Sequence, residues 1–268
     1  LRQGFFMQST QLKLLSSNIQ AGSITRAYSE YVTRSWSHVF PNGKQGNLDS
    51  LAQTYMPYDV VGLQECDPGS MRSGFSNQSE YLARKANFPF TSHQATRRIS
   101  HFASSGNALL SRLQPRRIEH SILPSRIPGR GVLLAEFGTP GCEWHLAITH
   151  LSLSAKARRL QIAYLSELLA GKPRVVLMGD FNCDALAPEM SRLFRETALA
   201  VPEHTPPTFP SWAAMRPIDH ILVGGLATSN YQTLVAAGSD HLAIALDLEI
   251  PDPSPANIPS ALSTAAID

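Results

Sequence analysis

The chain is poor in cysteine and lacks long apolar runs, internal repeats and any recognisable export signal. Its three cysteines, Cys66, Cys142 and Cys183, have no paired spacing, which disfavours a disulfide scaffold and fits a reducing compartment. No apolar run approaches the roughly 18–20 residues that span a bilayer. No basic region followed by a long apolar core lies near the start. We therefore expect a cytoplasmic protein without a transmembrane segment. Because the chain begins with Leu1 rather than Met, this expectation covers only the printed residues.

What remains is the composition of a globular protein. The 268 residues include 43% hydrophobic and 16% charged residues, which is enough chain for a sizeable core. We expect an N-terminal extension over 1–10, a single domain over 11–250 and a mobile tail over 251–268. The tail is rich in Pro, Ser and Ala, a composition that does not favour a packed core. A monomer is the expected state.

The most informative stretch runs from Val175 to Cys183. Four apolar residues end in Gly179, as in a buried strand bounded by a turn. Asp180 and Asn182 follow, and residues two apart share one face of an extended chain. Together they could hold a water beside a phosphate or a metal. Asp and Asn also favour turns for local reasons, so a turn without chemistry is the alternative interpretation.

Four more apolar segments place a polar or ionisable residue at a strand edge. Any one of these edge residues could be without function, because polar residues often end strands. Five edges that all supply Asp, Glu, Asn or His indicate a site, since function is usually found in loops and edges held by a rigid scaffold. The four further edge residues are Asn18, Glu65, His150 and the pair Asp240–His241.

These residues lie in motifs that resemble the endonuclease/exonuclease/phosphatase family. This superfamily includes pancreatic-type deoxyribonuclease, abasic-site endonucleases, neutral sphingomyelinases and inositol polyphosphate phosphatases. The resemblance covers roughly residues 12–249, and the ordered set is specific for the superfamily but not for a substrate. The motifs are Asn18, Leu63-Gln-Glu65, Gly106-Asn-Ala-Leu-Leu-Ser-Arg112, Thr149-His150, Gly179-Asp-Phe-Asn182, Ile218-Asp-His-Ile221 and Ser239-Asp-His241.

The pattern predicts many short strands and few helices, which favours two packed sheets with outer helices. The resemblance implies an α/β fold, a four-layer α/β/β/α sandwich of two mostly antiparallel sheets. The predicted helices are 48–55, 79–86, 154–170 and 188–199. In the third, Ser154 would cap the start and Leu160, Leu165 and Leu169 would belong to one apolar face. The predicted strands are 12–19, 59–64, 106–112, 131–137, 143–150, 174–179, 218–223, 230–236 and 242–249.

A phosphodiester is an anion, so water attack on it requires charge neutralisation. Magnesium prefers hard oxygen ligands and keeps several waters, so one or two carboxylates suffice to hold it. Glu65 is the first candidate ligand, with Asn18 and Asp240 assisting. Mg²⁺, or alternatively Mn²⁺, is the expected cofactor, and it would polarise the phosphoryl oxygen.

Five residues are predicted to act on the phosphate or on water. Asp180 would orient or deprotonate the attacking water, and Asn182 would fix its direction. His150 and His241 could donate hydrogen bonds to phosphoryl oxygens. The resemblance implies that His241 pairs with Asp219, which would hold the imidazole tautomer and favour the charged form.

Positive charge is concentrated in the segment from Arg84 to Arg130. It contains nine Lys or Arg residues and one acid, so its formal charge is +8 (9 − 1) and the rest of the chain carries −6 (2 − 8). Clustered positive charge attracts phosphate-rich partners, although this charge could equally be distributed over several faces. The predicted substrate contacts are Arg97, Arg98, Arg130 and Asn107.

The sequence thus predicts a metal-dependent phosphodiesterase acting on a phosphoester, with nucleic acid as a candidate substrate. A lipid or inositol phosphoesterase is the alternative, although no amphipathic anchor is visible. A catalytically inactive phosphate-binding module is the third hypothesis. Gln20 stands where abasic-site endonucleases commonly carry an acid, which weakens the case for that branch and for a second metal. A thiolate zinc site at Cys66 and Cys183 has the wrong spacing.

Overall fold

The computed structural model describes residues 9–20, 44–69, 77–99, 103–126 and 128–251. Most of the predicted extension 1–10 and tail 251–268 lies outside these residues; Ser9 and Thr10 already belong to the first strand, and Pro251 ends the last. The described strands are β1 (Ser9–Asn18), β2 (Val60–Cys66), β3 (Phe90–Ile99), β4 (Ala103–Ser111), β5 (Arg117–Ile122), β6 (Gly131–Phe137), β7 (Trp144–His150), β8 (Val175–Asp180), β9 (Asp219–Gly224), β10 (Ala227–Val235) and β11 (Leu242–Pro251).

The helices agree with the predicted ones except at their ends. They are α1 (Lys44–Tyr55), α2 (Gln78–Lys85), α3 (Ala155–Leu169) and α4 (Ser191–Glu196), the last preceded by a 3-10 turn over Pro188–Met190. Asn77 caps α2 by accepting hydrogen bonds from two backbone N–H groups of its first turn. Gly171, with a left-handed φ of 71°, follows the end of α3 as predicted. None of the helices in the described segments has the length and apolar character required to cross a membrane.

The strands form two mostly antiparallel sheets. The first has the order β10-β11-β1-β2-β4-β3, and the second has the order β5-β6-β7-β8-β9. Only two neighbouring pairs in these sheets are parallel, β1 with β2 and β7 with β8. The carboxyl ends of both parallel pairs therefore define the edge at which a site can form.

Three apolar clusters separate four layers. One packs α1 and α2 against the six-stranded sheet, with Leu51 and Leu82 fully buried. A second lies between the two sheets and includes Leu14 and Val176. A third packs α3 and α4 against the five-stranded sheet through residues such as Leu165. This arrangement confirms the predicted four-layer α/β/β/α sandwich.

The sequence prediction missed β3 and β5 and misjudged two details of α3. Ile118 and Ile122 in β5 are exposed, so that strand lacks the alternating apolar pattern that marks a half-buried strand. Within α3, the predicted apolar residue Leu160 is 54% exposed, whereas Ile162 is buried. Ser154 is the N-cap residue by position, but its side chain makes no capping hydrogen bond.

Gly179 allows the backbones of β7 and β8 to approach closely, because it has no side chain. Its φ is +145°, outside the range that L side chains readily adopt. A Cβ atom built there would overlap the carbonyl oxygen of Thr149. Because Asp180 follows directly, this glycine also helps to set where the strand-end carboxylate lies.

We expect Gly179→Ala to lower the free energy of unfolding by roughly 2–4 kcal/mol, since a strained φ and an overpacked contact each cost on the order of 1–3 kcal/mol. Urea unfolding followed by circular dichroism measures this change. Gly46→Ala is the matched control, because no atom lies within 4 Å of its added Cβ in α1. An unchanged stability in Gly179→Ala would contradict the close contact.

Candidate functional site

The predicted site residues meet where the strand ends of both sheets adjoin. In the five-stranded sheet, His150 pairs with Asp180, and Asp180 pairs with Asp219, so three strands present a row of ionisable side chains. In the six-stranded sheet, Asn18 pairs with Gln64 at the end of β1. A hydrogen bond of 3.1 Å from Asn18 Nδ2 to Asp180 Oδ2 joins the two sheets.

Asp219 and His241 form the predicted pair. The distance between His241 Nδ1 and Asp219 Oδ2 is 2.8 Å. The Thr208 hydroxyl donates to the same carboxylate oxygen at 2.6 Å. The ring of Phe209 lies 4.9 Å from the imidazole ring, centroid to centroid. The imidazole is therefore held on two sides, with Nε2 directed towards other carboxylates.

The charge on His241 follows from its neighbours. Burial lowers the pKa of the imidazole, but the carboxylates of Asp219, Asp180 and Asp240 outweigh it and raise the pKa to about 10. Nε2 lies 3.9 Å from both Asp180 Oδ2 and Asp240 Oδ1. The imidazole is thus a cation at neutral pH with two N–H donors.

His150 has the opposite electrostatics. Burial lowers its pKa well below the ordinary value, and the positive charges of Arg130 and His241 lower it further. Its Nε2 lies 3.3 Å from Asp180 Oδ2. A neutral imidazole at this distance can donate one hydrogen bond, so the two site histidines differ in charge but both can donate.

Asp180 lies at the centre of the cluster. Its side chain is 2% exposed, and burial together with the Asp219 carboxylate raises its pKa to about 7. Oδ1 accepts the backbone N–H of Asn182 at 2.8 Å, which closes a local turn. Oδ2 faces Asn18, His150 and His241. One oxygen of this carboxylate therefore makes the local turn, and the other faces the strand-end cluster.

Asn182 reaches the site through this turn and not through strand alternation. β8 ends at Asp180, and Asn182 has a left-handed φ of 54°. Its Nδ2 donates to the carbonyl oxygen of Leu151 at 2.9 Å, and its side chain is largely buried. This bond fixes the side chain and leaves Oδ1 as the atom that could accept a hydrogen bond from water or substrate.

Glu65 occupies an irregularity in β2. The register of β2 with β4 shifts between Leu63 and Cys66, and Glu65 has a left-handed φ of 57°. Bulges of this kind re-aim a side chain, and a non-glycine residue in this conformation points to a functional constraint. Its carboxylate contributes to the raised pKa values of both Asp180 and Asp240. Glu65 therefore belongs to the same acidic group.

Asp240 lies just before β11, in the same group of acids. Burial, opposed by His241, raises its pKa to about 6, and the Glu65 carboxylate adds to the rise. The Gln20 amide Nε2 is 3.4 Å from Asp240 Oδ2 and can donate to it. Gln20, which stands where abasic-site endonucleases commonly carry an acid, thus places a neutral donor beside Asp240. An acid at this position would repel the Asp240 carboxylate.

The oxygen donors at this edge fit a magnesium ion. Four acids, Glu65, Asp180, Asp219 and Asp240, share one strongly cationic partner, His241, so a divalent cation would relieve their repulsion. Asn18 Oδ1 accepts the Gln20 backbone N–H at 3.0 Å and keeps a second lone pair. In the described residues, no hydrogen bond or ion pair engages the Glu65 side chain. Glu65, Asp240 and Asn18 are therefore the best-suited ligands.

A second candidate metal site overlaps with these acids. It consists of Asp180, Asp219 and His241, whose potential ligand atoms lie within 4.8 Å of one another. A metal-bound imidazole must be unprotonated at the ligating nitrogen. The raised pKa of His241 and its short bond to Asp219 disfavour that state. This group is better described as a hydrogen-bonded pair beside a buried acid.

The predicted substrate contacts do not all lie at the strand-end cluster. Asn107 lies opposite the bulge of β2, but its Nδ2 donates to Gln94 Oε1 at 3.1 Å and to the Gly131 carbonyl at 2.9 Å. Arg130 is close enough to lower the pKa of His150. Arg97 and Arg98 belong to β3, and their side chains lie outside the described part of the chain.

Two positioning residues, Thr208 and Ser239, were not predicted from the sequence. Thr208 lies in a loop without a motif, and only its contact with Asp219 reveals it. Ser239, although within a motif, was given no role; its hydroxyl donates to the Asn18 carbonyl at 2.6 Å and accepts the His241 backbone N–H at 3.0 Å. Ser239 therefore links the end of β1 to the start of β11.

The remaining polar residues near the site have structural roles. His220 Nε2 lies 2.9 Å from the Cys183 carbonyl oxygen, and its ring packs edge-on against Phe181. Cys66 and Cys183 are buried free thiols, and burial raises the pKa of Cys183 to about 12. Across the described ranges, no cysteine joins a metal-type cluster. The zinc alternative therefore has no support in this geometry.

No curated protein gives a significant sequence match. An endonuclease/exonuclease/phosphatase structure from Beutenbergia cavernae is 19% identical with a TM-score of 0.71, covering 90% of this chain and 72% of that one. Sphingomyelinase C from Streptomyces griseocarneus is 17% identical with a TM-score of 0.60, covering 89% and 99%.

A third similar structure is beta toxin from Staphylococcus aureus, as an F277A, P278A mutant with bound magnesium ions. It is 17% identical with a TM-score of 0.61, covering 88% of this chain and 99% of that one. At these identities the structures show the fold. The sequence profile of the Endonuclease/Exonuclease/phosphatase family matches residues 15–241, most of the chain. The chain belongs to the Endonuclease/Exonuclease/phosphatase family.

Proposed function

We propose that this protein is a magnesium-dependent phosphodiesterase that uses an activated water. The observation that carries the proposal is the position of Asp180, whose Oδ2 lies 3.1 Å from Asn18 Nδ2, 3.3 Å from His150 Nε2 and 3.9 Å from His241 Nε2. A carboxylate among donors at converging strand ends is suited to orient a water and to accept its proton.

Each group has a proposed role. Asp180 orients the water, with Asn182 Oδ1 as a second acceptor. His241, held by Asp219, donates from Nε2 to a phosphoryl oxygen, and neutral His150 donates to another. Asn18, Glu65 and Asp240 hold the metal, which supplies charge neutralisation at the phosphate when bound. Manganese is an acceptable substitute because it also takes oxygen ligands.

Substrate contacts are proposed at Arg130, Arg97 and Arg98, and at the side-chain amide oxygen of Asn107. Arg130 has the strongest support because its charge reaches His150. Nucleic acid is the leading polymer substrate, since the segment from Arg84 to Arg130 has a formal charge of +8 (9 − 1). A monomer in the cytoplasm remains our expectation.

The two alternatives to this function differ in their support. A lipid phosphoesterase is favoured by the similarity to sphingomyelinase C from S. griseocarneus and to the S. aureus beta toxin. An inactive phosphate-binding module would not need the water-orienting arrangement around Asp180, which argues against it.

Product analysis separates these functions. We expect the purified protein with magnesium to hydrolyse the generic diester bis-p-nitrophenyl phosphate, and to act on plasmid DNA or RNA in preference to sphingomyelin or inositol phosphates. Chromatography of the products identifies the bond that is cleaved. Selective release of phosphocholine from sphingomyelin would favour the lipid function. No hydrolysis of any substrate by folded, magnesium-loaded protein would support the inactive module.

A further inference from the structure

A basic cavity adjoins the site, and of the residues that line it only Arg130 has a role assigned above. It has a volume of about 410 Å³ and lies between the segment linking β5 to β6 and the start of α3. This volume is within the range of roughly 300–1,000 Å³ for small-molecule sites. The cationic side chains that line it are those of Arg126, Arg130 and Lys156. No acidic residue lines it within the described part of the chain.

The cavity lies beside the catalytic edge. One wall begins at Ser152, two residues after His150, and another ends at Arg130, directly before β6. Arg130 faces both regions, because it lines the cavity and its charge lowers the pKa of His150. A substrate with its scissile phosphate beside His150 can therefore extend into this space.

Hydrogen bonds hold the wall in place. Arg158 is 8% exposed and donates from Nη1 to the carbonyl oxygens of Leu153, at 2.6 Å, and Ser152, at 3.2 Å. Gln161 Nε2 donates to Ser152 Oγ at 2.9 Å, and Gln161 Oε1 accepts the Ser152 backbone N–H at 2.9 Å. Glu189 accepts two hydrogen bonds from Arg158 and fixes it. This wall of the cavity is thus preformed, which reduces the entropy lost on binding.

The lining combines cations with apolar surface. Leu153 is 78% exposed and Leu160 is 54% exposed, and both line the cavity. Three cations without a lining acid select an anion, and Arg and Lys are the usual ligands of phosphate. The leucines suit an apolar face such as that of a sugar or base. The chemistry is therefore that of a phosphate carried on a partly apolar body.

We propose that this cavity is a subsite for a second phosphate of the substrate, one that is not cleaved. The inference rests on the proposed phosphodiesterase function and narrows its substrate class to diesters that carry an additional phosphate. Both a phosphorylated oligonucleotide and a phosphorylated inositol headgroup have this chemistry, so the test includes both series.

Binding calorimetry with magnesium in an Asp180→Asn background, in which turnover is expected to be slow, tests the subsite directly. The nucleotide series compares TpT with pTpT and TpTp, which add one phosphate at either end. The inositol series compares glycerophosphoinositol with its 4-phosphate. In at least one series we expect the extra phosphate to tighten binding about tenfold, the size of effect that a charge-assisted hydrogen bond produces.

Charge-removing variants then locate the effect. In Arg126→Gln and Lys156→Gln we expect the preference for the extra phosphate to fall several-fold, and to disappear in the double variant. Arg159→Gln, an exposed cation on α3 that does not line the cavity, should retain the preference. Because Arg126 and Lys156 are also exposed, all these variants should keep the wild-type thermal midpoint.

The outcomes distinguish this inference from the proposed function. Equal binding with and without the extra phosphate in both series, or a preference that survives in the double variant, would overturn the subsite. The proposed function is tested separately by hydrolysis of bis-p-nitrophenyl phosphate, which has no second phosphate. With Asp180 intact, the rate of this hydrolysis should be unchanged in the Arg126→Gln, Lys156→Gln double variant, whether or not the subsite binds as inferred.

Discussion

Chelation of divalent cations with EDTA is expected to abolish hydrolysis of bis-p-nitrophenyl phosphate, and magnesium or manganese should restore it. The reason is electrostatic: Glu65, Asp180, Asp219 and Asp240 crowd one strand edge. Burial raises the pKa of Asp180 and of Asp240, and the carboxylates of Asp219 and Glu65 add to both rises. An anionic phosphate cannot approach that group without a compensating cation. Full activity of metal-free protein in chelator would rule out the metal mechanism.

Glu65→Gln provides a sharper test of the ligand assignment. Altering groups that merely support metal ligands lowers metal affinity 10–100-fold, so loss of a direct carboxylate should weaken magnesium binding by at least about tenfold. The readout is the magnesium concentration that gives half-maximal activity, together with the rise in thermal midpoint on adding magnesium. Glu167→Gln, an exposed substitution of the same type on α3, should leave both values unchanged.

Asp180→Asn and His241→Ala are expected to lower turnover by roughly 10²–10⁴-fold, the usual contribution of an acid–base group. Asp180→Asn removes the proton acceptor and keeps the size of the side chain. Its stability should change little, because the lost hydrogen bonds are offset by removing a carboxylate whose pKa burial raises to about 7. Steady-state kinetics and thermal unfolding measure the two effects separately.

His241 requires a matched variant because it also satisfies Asp219. His241→Ala leaves that buried carboxylate with the Thr208 hydroxyl but without the imidazole, at a cost of about 1–3 kcal/mol in stability. His241→Asn can still donate to Asp219 but lacks an equivalent of Nε2. Both variants should lose turnover, and the Asn variant should be the more stable. Folded variants of Asp180 and His241 with wild-type turnover would refute the assigned site.

Much of the fold was predictable from local pattern. The buried strands β6, β7 and β8 are continuous apolar runs, and burial on both faces makes such runs conspicuous. The strands β3 and β5, at the outer edges of their sheets, carry too many polar residues to be recognised. Leu160 was misassigned because an apolar residue on a helix does not reveal which neighbour, or which cavity, it faces.

Part of the candidate site was also predictable, because strand termini are local features. Asn18, Glu65, His150, Asp180 and His241 each follow or precede an apolar run, and their order matches that of the family motifs. Their chemical types already favour phosphate chemistry with a hard metal ion.

The mutual geometry of these residues depends on long-range pairing. Asn18 and Asp180 are 162 residues apart, and their hydrogen bond exists because two sheets stack with their parallel strand ends on one edge. The partners of His241 could be named from the motif, but its raised pKa and the contribution of Thr208 require the folded loop.

The basic cavity also separates what local sequence pattern predicts from what only the tertiary structure shows. Local pattern identifies apolar runs, strand ends and turn residues, since backbone geometry and solvent exposure act over a few neighbouring positions. It cannot show that Arg126 and Lys156, 30 positions apart (156 − 126), line one space beside His150. Burial, pKa shifts and cavities arise from contacts between segments distant in sequence, so they are settled only when the layers pack.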